Sequence, residues 1–254
     1  MALGSSRLVV GACILGGVLP IALSGCGENH RLTDEPIAMD IYVDATFSND
    51  QVALECLPDV MRAATLAAGS RGSVKFHTFD GDPFRRRGLN ESFEATVLPA
   101  NIKGTSGETA SLEELAKDLE PQIKELILEP PTVGGTPLLA LLERTARHTA
   151  SPGNLNRILI CTDGLFTDVS PLKMTSQKAR AEGKALLQTL RGITVDFIGL
   201  DGSAPGRGRR IEQTKPLVED VLLSAGAQLG EWDLELSPSW RAELIAAANS
   251  RTMS

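Results

Sequence analysis

Residues 38–48, AMDIYVDATFS, decide the fold of this chain of 254 residues. The first part of the stretch is rich in β-branched and aromatic side chains and lacks turn formers, so it predicts a strand. Apolar residues then recur at helical spacing over 51–68, which predicts a helix directly after the turn. Asp44, Thr46 and Ser48 therefore lie between a strand and a helix, with their side-chain oxygens close together. Hard cations such as Mg²⁺ prefer oxygen ligands of this kind.

Strand-like and helix-like segments alternate along the rest of the chain. The further predicted strands are 74–79, 93–98, 157–161 and 193–200, and the further predicted helices are 111–128, 137–148, 171–190, 214–225 and 239–248. A short return through turn residues at 81–83 predicts that 93–98 forms a hairpin with the preceding strand. The pattern predicts a doubly wound, Rossmann-like α/β fold: a mostly parallel sheet with one antiparallel edge strand and helices on both faces.

The beginning of the chain has the features of a secretory leader. Arg7 precedes an apolar run over 8–23, and Leu-Ser-Gly then leads to Cys26. This order is typical of a signal peptide, and a cysteine after Leu-Ser-Gly resembles the lipobox of bacterial lipoproteins. An ordinary signal peptide and an uncleaved membrane helix are the alternatives. The expected organisation is a lipoprotein signal peptide at 1–25, a lipidated Cys26 with a tether at 26–36, and one domain with a C-terminal helical extension at 37–254.

Composition and the leader limit the partners. The formal net charge is −7 and only 4% of the residues are aromatic. An acidic chain with few aromatic residues is a poor nucleic-acid binder, so that partner is excluded. Acyl chains on Cys26 would attach the protein to a membrane. The expected location is the bacterial cell envelope, either on the periplasmic side of the outer membrane or at the cell surface.

Two further groups of residues remain open in the sequence. Cys56 and Cys161 would both stay in the exported chain, where they form either a disulfide or two buried thiols. Two basic clusters are predicted in loops, as solvated charges or as contacts to lipid headgroups. They are 85–87, and Arg207 with Arg209 and Arg210.

Polar residues at later positions extend the first oxygen cluster. Thr136 lies in a Gly134-Gly135-Thr-Pro turn that enters a helix, and Asp163 follows the predicted strand 157–161. If this strand neighbours the first one, these side chains meet at the carboxyl edge of the sheet. A set of oxygen donors favours magnesium, calcium or manganese over zinc or copper. Each residue taken alone fits a helix cap or a turn equally well.

The motifs DATFS at 44–48, Thr136 and TDG at 162–164 resemble the metal-ion-dependent adhesion site of von Willebrand factor type A (VWA) domains. That family has D-x-[ST]-x-S, a separate threonine and T-D-G in this order, and the resemblance covers about residues 37–225. It implies a divalent cation, first of all Mg²⁺, and a protein partner whose Asp or Glu completes the coordination. The glycines at 134 and 135 would allow close approach of the threonine turn. The implied metal-site residues are Asp44, Thr46, Ser48, Thr136 and Asp163.

Two other functions stay open beside this binding role. One is a VWA-like scaffold with an unused metal site. The other is a magnesium-dependent hydrolase or phosphatase with Asp44 as nucleophile, but such phosphatases need a second aspartate where this chain has Thr46. The sequence contains neither a G-x-x-x-x-G-K-[ST] loop nor a G-x-S-x-G turn after a strand. We therefore expect a binding protein without catalytic residues.

Overall fold

The computed structural model describes residues 35–46, 50–70, 72–82, 116–117, 119–128, 133–146, 154–186, 190–203 and 205–250. Their strands are β1 (Ile37–Asp44), β2 (Ser73–Phe79), β3 (Leu155–Cys161), β4 (Thr194–Ile198) and β5 (Gln228–Trp232). Their helices are α1 (Asp50–Glu55), α2 (Leu57–Gly69), α3 (119–127), α4 (Leu138–Ala146), α5 (Ser176–Ala185), α6 (Arg207–Ser224) and α7 (Trp240–Ser250).

The strands of the described residues form one parallel sheet in the order β2-β1-β3-β4-β5. β1 lies between β2 and β3, with Ile41 opposite Phe76 on one side and opposite Leu159 on the other. Parallel neighbours need crossover connections, which here contain helices. The predicted doubly wound α/β fold is confirmed. The predicted antiparallel strand 93–98 lies outside the described residues.

Side chains alternate along the strands between two apolar layers. Ile41 and Val43 of β1 and Leu159 of β3 belong to the layer that includes α1, α2, α3 and α7. Tyr42 of β1 and Ile160 of β3 belong to the layer that includes α4, α5 and α6. Each fully buried side chain of this size stabilises the fold by about 1.5–3 kcal/mol. Both faces of the sheet are covered, so polar side chains of the strands reach the surface mainly at the strand ends.

A disulfide bond joins Cys56 and Cys161, which both belong to the apolar layer that includes α1 and α2. Cys56 lies between α1 and α2, and Cys161 is the last residue of β3, with 6.3 Å between their Cα atoms. The structure therefore answers the question that the sequence left open. The bond links the junction of α1 and α2 to the end of β3, the strand that leads into Thr162 and Asp163.

The helix predicted over 51–68 is divided in two. α1 ends at Glu55 and α2 begins at Leu57, with Pro58 in the first turn of α2. Proline has no N–H for the hydrogen bond that would continue α1, whereas it is favoured at the start of a helix. α5 is also shorter than predicted: Ser176 is its first residue and Thr175 is its N-cap.

The start of α6 differs most from the sequence prediction. α6 begins at Arg207, so the predicted loop position of Arg207, Arg209 and Arg210 is wrong. Gly206 has φ +77° and makes the turn into the helix, and Pro216 lies inside it. Glycine and proline are typical of loops, and Gly206 and Pro216 therefore explain why the sequence predicted a loop around these arginines.

β5 was not predicted at all, because it is a partly exposed edge strand without a continuous apolar run. Within the described part of the chain, no helix combines the length and apolar character needed to cross a membrane. The predicted leader, Cys26 and almost all of the tether lie outside the described residues, and so does the basic cluster 85–87.

Candidate metal centre

The carboxylate of Asp44 is the centre of a buried polar cluster at the carboxyl edge of the sheet. Asp44 is the last residue of β1, with 1% of its surface exposed. Its Oδ2 accepts hydrogen bonds from the hydroxyl groups of Thr136 at 2.8 Å and Thr162 at 2.9 Å. Its Oδ1 accepts one from the backbone N–H of Thr46 at 3.1 Å. Three segments that are distant in sequence therefore meet at one carboxylate.

Burial raises the pKa of Asp44 from 3.8 to about 6. Hydrogen bonds from Thr136, Thr46 and Thr162 oppose this rise in part. These donors are dipoles, and they stabilise a carboxylate less than an adjacent cation does. At neutral pH, Asp44 is therefore a buried negative charge whose hydrogen-bond donors are neutral.

The turn that carries Thr136 is held against the loop after β3. The backbone N–H of Thr167 donates to the carbonyl oxygen of Thr136 at 3.0 Å. Gly135 has φ +103°, and a Cβ there would lie 3.0 Å from Cγ2 of Thr167. A Cβ on Gly134 would meet nothing within 4 Å, so the tight packing of the turn against Thr167 involves Gly135.

Asp168 fixes the same turn through the start of α4. Its two carboxylate oxygens accept hydrogen bonds from the backbone N–H groups of Leu138 and Leu139, each at 2.8 Å. A carboxylate at this place satisfies free N–H groups and complements the helix dipole. Burial raises the pKa of Asp168, and the two backbone hydrogen bonds lower it in part. Sequence reasoning missed this residue, because its helix is distant along the chain.

Asp163 has a different kind of partner from Asp44. It is buried after β3, and its Oδ1 accepts a hydrogen bond from the backbone N–H of Leu165 at 3.0 Å. Its Oδ2 forms an ion pair with Nη2 of Arg207 at 2.5 Å. Arg207 belongs to the first turn of α6. Sequence reasoning missed this pair because it expected Arg207 in a solvated loop.

The structure brings most of the predicted site residues to one edge of the sheet. Asp44, Thr46 and Thr136 belong to the cluster described above, and Asp163 follows Thr162 directly. Ser48 lies outside the described residues. Thr162 was quoted in the T-D-G motif but was not predicted as a site residue, although its hydroxyl contacts Asp44.

The donor set has the chemistry of a hard-cation site. The hydroxyl protons of Thr136 and Thr162 point to Asp44, and the oxygen of Thr162 also accepts a hydrogen bond from the backbone N–H of Gly164 at 3.3 Å. Each hydroxyl oxygen therefore keeps at least one lone pair as an acceptor. Together with the two carboxylates the hydroxyl groups form an oxygen-only set, which fits magnesium, calcium or manganese. Among the described residues, no group of three or more His, Cys, Asp or Glu could hold a metal. A cation here would therefore depend on hydroxyl groups.

Comparison with known proteins finds similar solved structures but no match by sequence. No protein-family model and no curated protein matches the chain. The SpRpn10 VWA domain is similar in structure, with 10% identity, a TM-score of 0.42, and 84% of this chain and 95% of that chain covered. The pilus adhesin SpaC from Lactobacillus rhamnosus GG is also similar, with 15% identity, a TM-score of 0.42, and 84% of this chain and 30% of that chain covered.

The class of protein follows from the fold and the edge cluster. A parallel sheet with helices on both faces carries the D-x-T, threonine and T-D-G segments at one carboxyl edge. This is a doubly wound α/β domain with a polar cluster at the carboxyl edge of its sheet.

Proposed function

We propose that this chain is an exported, membrane-anchored lipoprotein whose VWA-like domain binds a divalent cation and, through it, an acidic side chain of a protein partner. The cation proposed first is Mg²⁺, with Ca²⁺ or Mn²⁺ as alternatives. The role is binding without turnover, as in adhesion or assembly. The single observation that carries the proposal is the buried carboxylate of Asp44, which receives hydroxyl groups from two distant segments.

The residues that would hold the cation have complementary tasks. Thr46, Ser48 and Thr136 would offer hydroxyl oxygens, while Asp44 and Asp163 would supply negative charge directly or through water. Asp44 also orients the hydroxyls, since it accepts their protons. A bound divalent cation supplies a positive charge that attracts a carboxylate from outside. Neutral hydroxyl donors leave more of that charge uncompensated than additional carboxylates would.

Magnesium titration of the full chain, purified in detergent, tests the metal part of the proposal. Asp44→Asn keeps the shape of the side chain but removes its charge, so the affinity for Mg²⁺ should fall at least tenfold. Asp82→Asn is the matched control, because Asp82 is an exposed aspartate beyond the end of the neighbouring strand β2. Isothermal titration calorimetry measures both. Equal affinities of wild type and Asp44→Asn would exclude Asp44 from a metal site.

The anchoring part of the proposal rests on Cys26, and the disulfide supports the export part. Disulfides persist mainly in oxidising compartments outside the cytosol, and the chain has one between Cys56 and Cys161. Cys26→Ser removes the thiol that would carry the lipid. We expect mass spectrometry of the protein from a bacterial host to show acyl chains on wild type and none on Cys26→Ser. Wild type without acyl chains would contradict lipid anchoring.

A scaffold with an unused metal site is the second candidate function. It is favoured by one observation, the guanidinium of Arg207 on Asp163, which already neutralises one of the two carboxylates. Partner capture from an envelope extract distinguishes the two roles. Capture that is lost in the presence of a chelator supports the cation-dependent role, and capture that is unchanged supports the scaffold. Magnesium-dependent turnover of phosphate or acyl substrates that Asp44→Asn abolishes would contradict both.

A further inference from the structure

We infer that Arg207 competes with the divalent cation for Asp163 and thereby sets the cation affinity of the site. This inference rests on the proposed function and adds a residue that regulates the same site. The guanidinium of Arg207 pairs with Asp163 in the structure, and a cation at this carboxylate has to displace it or share the carboxylate with it. Arg207 is thus a built-in competitor that keeps the affinity low.

The contact between Arg207 and Asp163 is close and shielded from solvent. Nη2 of Arg207 lies 2.5 Å from Oδ2 of Asp163, and 17% of the arginine side chain is exposed against 2% of the aspartate side chain. An ion pair with this little solvent around it is screened weakly by salt. Since the N–H of Leu165 takes the other oxygen, both oxygens of Asp163 are already engaged. A cation that binds Asp163 therefore has to compete with the guanidinium of Arg207 and with the N–H of Leu165 for the carboxylate oxygens.

The start of α6 is packed so that Arg207 stays near Asp163. A Cβ on Gly164, the residue after Asp163, would lie 3.4 Å from Cγ1 of Ile211, one turn beyond Arg207. The first turns of α6 thus lie directly against the T-D-G loop. On the other side, a Cβ on Gly202 would lie 3.0 Å from Cα of Gly208, so the loop before α6 folds back onto its first turn. The contacts of α6 with the T-D-G loop and with the loop before the helix therefore fix the position of Arg207.

The neighbouring arginines show that this placement is specific. Arg209 and Arg210 follow in the same helix and are exposed. Cationic side chains are unfavourable at the N-terminal end of a helix, because they repel the positive end of its dipole. For Arg207, the pair with Asp163 offsets this cost. The carboxylate thus holds the arginine, and a divalent cation with a larger charge is the natural competitor.

Magnesium titration of arginine variants tests the competition. Arg207→Ala removes the competitor, so we expect the dissociation constant for Mg²⁺ to fall about tenfold at neutral pH. Arg207→Gln keeps hydrogen-bond donors without the charge and should shift the constant in the same direction; it is the second variant in case Arg207→Ala does not fold. Arg209→Ala removes an equal charge from the same turn and should leave the constant unchanged. Calorimetry on the full chain in detergent gives all three.

The outcomes separate this inference from the proposed function. If Asp44→Asn loses Mg²⁺ but Arg207→Ala and Arg207→Gln bind it no more tightly than wild type, the competition is wrong and the metal site stands. Equal tightening by Arg209→Ala would also overturn the inference, because it would show a general charge effect. If neither wild type nor the Arg207 variants bind Mg²⁺, both ideas fail. Binding that appears only after Arg207 is replaced supports the competition.

Discussion

Asp44 and Asp196 are both fully buried aspartates, but the groups around them differ. Asp196 lies in β4 with 0% of its surface exposed, and its Oδ1 accepts a hydrogen bond from the backbone N–H of Glu231 at 2.9 Å. Its Oδ2 lies 3.5 Å from Nε of Arg157. Asp44 has hydroxyl and N–H donors at a strand end. Burial raises the pKa of both aspartates, so burial alone does not distinguish a binding site from a structural ion pair.

The space around the two carboxylates also differs. A Cβ on Gly230 would lie 2.0 Å from Oδ1 of Asp196, so the backbone of β5 leaves no room for a ligand. The guanidinium of Arg157 is further covered by Trp240, with 5.7 Å from Cζ to the ring centre. Asp44 lies instead at the end of β1, with neutral donors around it. The comparison teaches that the partner and the position of a buried aspartate, more than its burial, indicate its role.

The largest expected effect concerns the disulfide beside the Asp44 cluster. Replacing Cys56 and Cys161 by alanine should lower the free energy of unfolding by about 4–5 kcal/mol, since the bond closes a loop with a sequence separation of 105. Urea unfolding without reductant measures this. Wild type in reductant should approach the variant. Coincident unfolding curves without reductant would show that the bond contributes little.

The ion pair between Arg157 and Asp196 should give the next largest effect on stability. Arg157→Met leaves Asp196 as a buried charge without its cation, which should cost about 4 kcal/mol of unfolding free energy. Arg180→Met is the matched control: it breaks a pair with Asp220 in which the arginine side chain is 61% exposed, and should cost less than about 1 kcal/mol. Similar losses in both variants would remove the distinction between the two environments. Chemical unfolding measures both.

A smaller effect is expected from the protonation of Asp44. Its pKa of about 6 in the folded chain exceeds the ordinary 3.8, so its contribution to stability is full below the ordinary value and is lost as the pH rises through about 6. The loss is roughly 3 kcal/mol, at about 1.4 kcal/mol for each pKa unit. Unfolding of metal-free wild type should therefore become easier, relative to Asp44→Asn, between about pH 4 and pH 7. Parallel pH profiles would contradict the raised pKa.

The sequence predicted the central strands and the meeting of distant oxygens. The strands β1 to β4 contain apolar and β-branched residues, and this local pattern predicts a strand without knowledge of the rest of the fold. The contact of Thr136 with Asp44 followed from one assumption, that β1 and β3 are neighbours, and the structure confirms that pairing. The ligand roles of these residues remain a prediction.

The features that sequence reasoning missed depend on tertiary contacts. Arg207 reaches Asp163 because α6 begins earlier than its glycines and prolines indicate and packs on the T-D-G loop. Asp168 caps a helix that lies before it in sequence, and no local pattern announces such a cap. β5 is a strand chiefly because β4 offers it a hydrogen-bonding edge.

The bond between Cys56 and Cys161 turns the intervening chain into a covalent ring that contains β2, α4 and Thr136, while Asp44 lies outside it. A protease that cuts this ring once leaves both fragments attached to each other. Such a nick would be invisible on a denaturing gel until the sample is treated with reductant. The ring thus keeps the oxygen-bearing segments on one molecule even after the backbone between them is broken.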